Sequence, residues 1–245
     1  MKLDIRSSTE RWTFWTGFYD RSMISKLISR LPPDPIVLDV GANIGFYSVA
    51  LGFHLKDSRA QVFAFEPVME NYERLRENVA LNSLEQTVIP LRVALGSSEG
   101  SVVLSRESDR GATTGNAVVN HEATPGDTPS SCRLTTLDCI ARELSITNCH
   151  LLKMDIEGYE YKLLQGASEF ISEHRPLIVL ELNSYWMAHF GWSSHDLMIL
   201  AETMGYRTLF SERGRVSVSV PPSSGIATAF LVPHETDEDQ WLQTF

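Results

Sequence analysis

Asp39-Val40-Gly41-Ala42-Asn43-Ile44-Gly45 is the stretch whose reading decides the fold. It opens at the end of Ile36-Val37-Leu38-Asp39-Val40, an apolar run long enough for a buried strand and too short for a helix. Pro32, Pro33 and Pro35 stop any helix ahead of that strand. Beyond the turn, Gly45 to Leu55 reads as a helix. Strand, sharp glycine turn and helix in succession are where a doubly wound sheet binds nucleotides. Gly41 can take backbone angles closed to other residues and leaves space for a ligand against the main chain. Gly45 lets the helix start close to the strand.

Outward from this turn the chain alternates short apolar runs with amphipathic ones, the rhythm of βαβ units. Six further strands are expected: Gln61 to Phe65, Val88 to Leu95, His150 to Met154, Leu177 to Leu182, Tyr206 to Phe210 and Gly225 to Val232. The last is antiparallel if a hairpin joins it to its predecessor. Helices are expected over Met69 to Leu81, Leu134 to Leu144, Tyr159 to Ile171 and Ser194 to Met204. The fold class is therefore α/β, a mostly parallel seven-stranded Rossmann-like sheet with helices on both faces. Thr9 to Leu31, with Trp12, Phe14, Trp15, Phe18 and Tyr19, reads as an N-terminal helical cap. Ser105 to Ser131 is rich in Ser, Thr, Gly and Pro and reads as a loop or loose hairpin, a candidate lid over an acceptor. The division expected is a cap over 1–34, a catalytic domain over 35–233 and an acidic tail over 234–245.

The formal net charge of −10 argues against a phosphate-tracking surface, so nucleic acid is not the expected partner. Cys132, Cys139 and Cys149 are odd in number and form no CxxC pair, which points to reduced thiols in a cytoplasmic protein. No apolar stretch has the length of a membrane span, and the N-terminus lacks the apolar run of a signal peptide.

The glycine spacing is not the dinucleotide fingerprint, because Asn43 occupies the place of the second glycine of G-x-G-x-x-G. That glycine lets a pyrophosphate approach, and S-adenosylmethionine has none. One βα unit further on, Glu66-Pro67 closes the second strand. A carboxylate there can accept hydrogen bonds from both hydroxyls of a ribose.

Five blocks, in this order, resemble the FkbM family of methyltransferases: Val37 to Gly45, Phe65-Glu66-Pro67, Val93-Ala94-Leu95-Gly96, Leu134-Thr135-Thr136-Leu137-Asp138, and Leu152-Lys153-Met154-Asp155-Ile156-Glu157-Gly158-Tyr159-Glu160. The resemblance implies a class I methyltransferase fold and S-adenosyl-L-methionine as methyl donor. It also implies an acceptor that is usually a hydroxyl on a sugar, a glycan or a natural product. On the matching positions, Asp39, Gly41, Ala42, Asn43 and Gly45 would hold the methionine end, Glu66 and Pro67 the ribose, and Ala94 would lie near the adenine.

Methyl transfer is an in-line displacement, so the protein mainly positions the nucleophile and takes its proton. Asp155, Glu157 and Glu181 are the candidate catalytic carboxylates, at the ends of the fourth and fifth strands. Each has a plainer reading. Asp155 could cap a helix, Glu157 and Glu160 could serve the helix dipole, and Glu181 could pair with Arg175. Tyr185, Trp186 and His189 could wall an acceptor or simply pack. Asp155, Glu181 and Asn183 offer hard oxygen ligands. Their Glu-Leu-Asn spacing differs from the adjacent acid-amide pair of metal-dependent methyltransferases, and no metal is assigned. Competing functions are an N-methyltransferase, a non-catalytic module that keeps the fold and ligand, and, disfavoured by Asn43, a nicotinamide oxidoreductase.

Overall fold

The computed structural model describes residues 1–17, 19–106, 117–120, 130–212, 215–217 and 225–237. The central parts of the Ser105 to Ser131 segment and the end of the acidic tail lie outside them. Among the described residues no helix is long and apolar enough to cross a membrane. The chain divides into two compact units, residues 1–94 with 99–134, and residues 95–98 with 135–245.

In the first unit, α1 (Ser8–Thr16) and α2 (Arg21–Ile28) precede β1 (Ile36–Val40), α3 (Phe46–Leu55), β2 (Gln61–Phe65), α4 (Met69–Leu81) and β3 (Val88–Leu91). The strands β1, β2 and β3 run parallel, with Val40 opposite Phe65 and Phe65 opposite Leu91. The side chains of β1 and β2 are buried almost throughout, as expected of parallel strands covered on both faces, while those of β3 are mostly half-buried. The third strand is shorter than the sequence suggests. It breaks at Arg92-Val93, and Ala94–Leu95 (β4) joins a separate small sheet with β5 (Gly100–Arg106), β6 (Ala117–Asn120) and β7 (Ser130–Thr135). There β5 pairs antiparallel with β6 and β7. Val102, Leu104, Cys132 and Leu134 bury one face of this sheet with Val68 and Ala94.

The N-terminal cap is tied to α3 and α4 by specific contacts. Ser7 caps α1 by accepting the Glu10 N–H, and Gly17, at φ 74°, ends it. The buried Glu10 carboxylate takes the Arg74 guanidinium at 2.5 and 3.0 Å. Tyr19 stacks on Phe46 at 4.4 Å, and the Tyr47 hydroxyl bonds Asp20.

In the second unit come α5 (Leu137–Glu143), β8 (Leu151–Met154), α6 (Glu160–Gln165), α7 (Ser168–His174), β9 (Leu177–Asn183), α8 (Ser184–His189), α9 (Ser194–Thr203), β10 (Tyr206–Glu212), β11 (Arg215–Ser217) and β12 (Ile226–Pro233). The strand order is β8-β9-β12-β10-β11. β8 and β9 are parallel, while β12 is antiparallel to both β9 and β10. All seven expected strands are therefore present, and β11 adds a short pairing to β10.

Two helices differ from expectation for local reasons. The helix expected from Leu134 starts at Leu137, because Thr136 caps it through the Cys139 N–H and the preceding residues pair as β7. The helix expected over Tyr159 to Ile171 is two. They part at Gly166, where a Cβ would stand 2.0 Å from the Gly96 carbonyl oxygen, and α7 begins with Asp138 accepting the Phe170 N–H. After β9 comes the short helix α8, capped by Asn183 accepting from the Tyr185 N–H.

Candidate functional site

The turn from β1 into α3 carries three left-handed residues, Gly41 (φ 76°), Asn43 (φ 51°) and Gly45 (φ 96°). The Gly41 and Ala42 N–H groups both donate to the Phe65 carbonyl at 3.0 Å, which draws the turn onto the end of β2. Asn43 tolerates its conformation by accepting the Ile44 N–H with its own side chain. At Gly45 a Cβ would lie 2.7 Å from the Leu75 Cδ1, so the glycine admits α4 as well as the turn. Asp39 is wholly buried and accepts the Ser48 hydroxyl at 2.5 Å, tying β1 to α3 behind the turn.

Glu66 reaches back into this turn. Its Oε2 accepts the Asn43 N–H at 2.8 Å, and its Oε1 accepts the Val68 N–H at 2.9 Å and Asn71 Nδ2 at 3.5 Å. Burial pushes its carboxyl up to about 7, with the Val68 and Asn43 N–H groups pulling it down and the Asp39 charge adding to the rise. Pro67 follows it, half-buried, and Ala94 lies in the apolar cluster with Val68.

The turn from β8 into α6 is built on the same plan. Glu157 (φ 50°) and Gly158 (φ 89°) are left-handed. The Ile156 N–H donates to the Glu160 Oε1 at 3.0 Å, so Glu160 holds the turn and does more than complement the helix dipole. Glu160 is completely buried, and its Oε2 has no hydrogen-bond partner among the described residues. Burial pushes this carboxyl up to about 8, opposed by nearby backbone N–H groups and reinforced by the Asp155 charge. The Gly158 carbonyl accepts the Trp192 indole N–H at 2.7 Å, and a Cβ on Gly158 would stand 2.7 Å from the Trp186 backbone.

Asp155, at the head of this turn, is part-exposed and lies 3.6 Å from the ammonium of buried Lys153. The α6 N-cap is Tyr159, so Asp155 does not cap that helix. Glu181 follows the last β8–β9 register pair, Met154 with Leu180, as Asp155 does on its own strand. Arg175, the plainer partner offered for Glu181, is engaged by Glu235 at 2.8 Å and by the Met204 and Gly205 carbonyls. Among the described residues no group of His, Cys, Asp or Glu is placed to hold a metal ion.

The FkbM methyltransferase domain matches residues 39–208, most of the chain and both turns. The chain belongs to the FkbM methyltransferase family. It is 28% identical over 178 residues to the hexuronic acid methyltransferase AglP of Haloferax volcanii, covering 73% of this chain and 69% of that protein. It is 27% identical over 154 residues to the 2-O-methyltransferase NoeI of Sinorhizobium fredii, covering 58% of this chain and 61% of that one. Among solved structures it is similar to the methyltransferase FkbM of Methylobacillus flagellatus, with a TM-score of 0.52 at 20% identity, covering 88% of this chain and 47% of that chain.

The cofactor of this FkbM methyltransferase is S-adenosylmethionine. The first turn suits its hydrogen-bond donors. Each Glu66 oxygen retains acceptor capacity beyond the backbone N–H it already takes. Beside it, the buried Asn71 Oδ1 has no partner among the described residues. A cluster of acceptors suits hydroxyl and amino donors and repels a pyrophosphate. Sequence reading passed over Asn71, Lys153 and Trp192. A lysine within the otherwise apolar run Leu151 to Met154 is the signal that could have found Lys153. Nothing local marks Trp192, which reaches Gly158 from 34 residues away.

Proposed function

We propose that this enzyme transfers a methyl group from S-adenosylmethionine to a hydroxyl of a sugar, glycan or small natural product. The observation that carries the reading is the Asp155 to Gly158 turn. It holds a part-exposed carboxylate at a strand end and is clamped from within by Glu160 and from outside by Trp192. Backbone held in a sparsely populated conformation by several independent contacts is the mark of a working site. The relative named for 2-O-methylation supports a hydroxyl acceptor, and the one named for hexuronic acid supports a sugar.

When bound, S-adenosylmethionine supplies an electrophilic methyl carbon. Glu66, with Asn71 beside it, would accept the ribose hydroxyls, and Gly41 to Gly45 would leave the main chain open to the methionine end. Pro67 and Ala94 would bound the nucleoside, and Asp39 holds the turn from behind through Ser48. Asp155 would accept a hydrogen bond from the acceptor hydroxyl and take up its proton. Lys153 fixes the orientation of that carboxylate, while Glu157 and Glu181 complete an acidic rim that selects hydroxyl donors. Residues 1–34 form a cap on the catalytic domain at 35–233, followed by a tail at 234–245. Three free thiols support a cytoplasmic location.

The test is methyl transfer from radiolabelled S-adenosylmethionine to a panel of hexuronic acids, neutral glycosides and amines. Labelling of a hydroxyl acceptor, lost in Asp155→Asn, is expected. Labelling confined to amines would overturn the reading.

A further inference from the structure

The helix α1 carries a surface that methyl transfer leaves unused. Its inward side is set by Glu10 and Thr13, both buried. On the other side Trp12, Phe14 and Trp15 are 69%, 56% and 77% exposed, with the exposed Arg11 among them. The Phe14 and Trp15 rings meet edge to face at 5.3 Å, so they form a patch rather than scattered side chains. Ile5, on the segment leading into the helix, is 58% exposed. Soluble surfaces seldom gather large apolar side chains in this way without a partner for them.

Charge indicates which partner. Residues 1–31 contain six Lys and Arg against three Asp and Glu, whereas residues 32–245 contain 15 against 28. The aromatic patch therefore sits in a net basic stretch of an acidic protein, an asymmetry that suits an anionic surface. Tryptophan and arginine together suit a lipid headgroup region, where one end of each side chain is apolar and the other wet. A second copy of the chain fits less well. Three part-exposed rings offer on the order of 400 Å², while a stable protein interface takes about 800 Å² from each partner.

We propose that α1 docks this enzyme onto an anionic bilayer surface. Trp12, Phe14 and Trp15 enter the headgroup layer, with the exposed Arg11 beside them against lipid phosphates. The proposal is independent of which acceptor is methylated.

Sedimentation of the full chain with vesicles tests it. The vesicles are phosphatidylcholine alone, or phosphatidylcholine with about a quarter phosphatidylglycerol. The protein should pellet with the mixed vesicles and much less with the neutral ones, and added salt should release it. The double variant Trp12→Ser, Trp15→Ser alters two side chains that are mostly in water, so its fold and S-adenosylmethionine affinity should match the parent. Its partition onto mixed vesicles should fall at least about tenfold. No binding of the parent to mixed vesicles, or equal binding of the variant, would overturn the proposal. So would a parent dimer that the double substitution dissociates, which would assign the face to a second copy.

Discussion

The β1–α3 turn and the β8–α6 turn solve one problem in two ways. Each leaves a strand, passes a left-handed non-glycine residue (Asn43 at φ 51°, Glu157 at φ 50°), and has a left-handed glycine before the helix (Gly45 at φ 96°, Gly158 at φ 89°). Each has a buried glutamate bonding a backbone N–H of the turn, Glu66 on Asn43 and Glu160 on Ile156. The first is held from the neighbouring strand end, by the Phe65 carbonyl and the residue that follows it. The second is held by residues that come later in the chain, the Trp186 backbone packed on Gly158 and the Trp192 indole bonded to its carbonyl.

The sharpest way to break this comparison is to add a methyl group to each turn. In Gly158→Ala the new Cβ meets the Trp186 backbone at 2.7 Å, which cannot swing away, and the residue stays at φ 89°. Overpacking and the left-handed conformation together should cost about 3 kcal/mol. In Gly45→Ala the nearest atom is the end of the Leu75 side chain, also at 2.7 Å, which can change rotamer. About half that loss is expected. Urea unfolding of both variants decides the ranking, and a larger loss at Gly45 would show that the second turn is the more forgiving.

The next effect separates binding from chemistry. Asp155→Asn keeps shape and one hydrogen-bond partner while removing the proton acceptor. Turnover should drop about a hundredfold, with S-adenosylmethionine affinity unchanged by calorimetry. Glu66→Ala should do the reverse, weakening cofactor affinity by about 2 kcal/mol because bonded partners inside the turn are left unpaired. If Glu66→Ala bound the cofactor normally, the ribose assignment would be lost and the first turn would be a structural element alone.

Much of this was legible in the sequence. Apolar runs bounded by Pro and Gly marked all seven expected strands, and the glycine pattern marked the first turn. Of the small sheet of β4 to β7 only a loose hairpin over Ser105 to Ser131 was legible, because that segment is rich in Ser and Thr. The alternation of Val102 with Leu104, and of Cys132 with Leu134, shows the buried face only when the two are paired. Glu66 could be found as a carboxylate at a strand end, but its bond to Asn43 could not, since it depends on how sharply the turn folds back. Glu160 looked like a first-turn acid serving the helix dipole. It is instead a buried clamp on a turn four residues before it, a role that helical periodicity does not encode.

The smallest expected effect concerns pH and distinguishes the two glutamates. Burial raises the Glu66 carboxyl from the usual 4.5 to about 7 in the free protein. The folded state therefore keeps a proton that the unfolded chain gives up, and the stability contributed by this group declines as pH rises from about 4.5 through 7. Cofactor binding should have the opposite slope. Ribose hydroxyls donate to the ionised carboxylate, and a sulfonium nearby favours that charge, so the bound state draws on the deprotonated form. Affinity should fall about tenfold between roughly pH 8 and pH 6 and be nearly flat above pH 8. Calorimetric titration of S-adenosylmethionine across that range measures the slope. Glu66→Gln should remove the slope and bind weakly throughout, while Glu160→Gln should leave it in place. The carboxyl of Glu160 titrates higher, near 8, and lies in the other turn, so its ionisation should mark acceptor turnover and stability instead of cofactor affinity. A slope that survives in Glu66→Gln and vanishes in Glu160→Gln would reverse the roles assigned to the two turns.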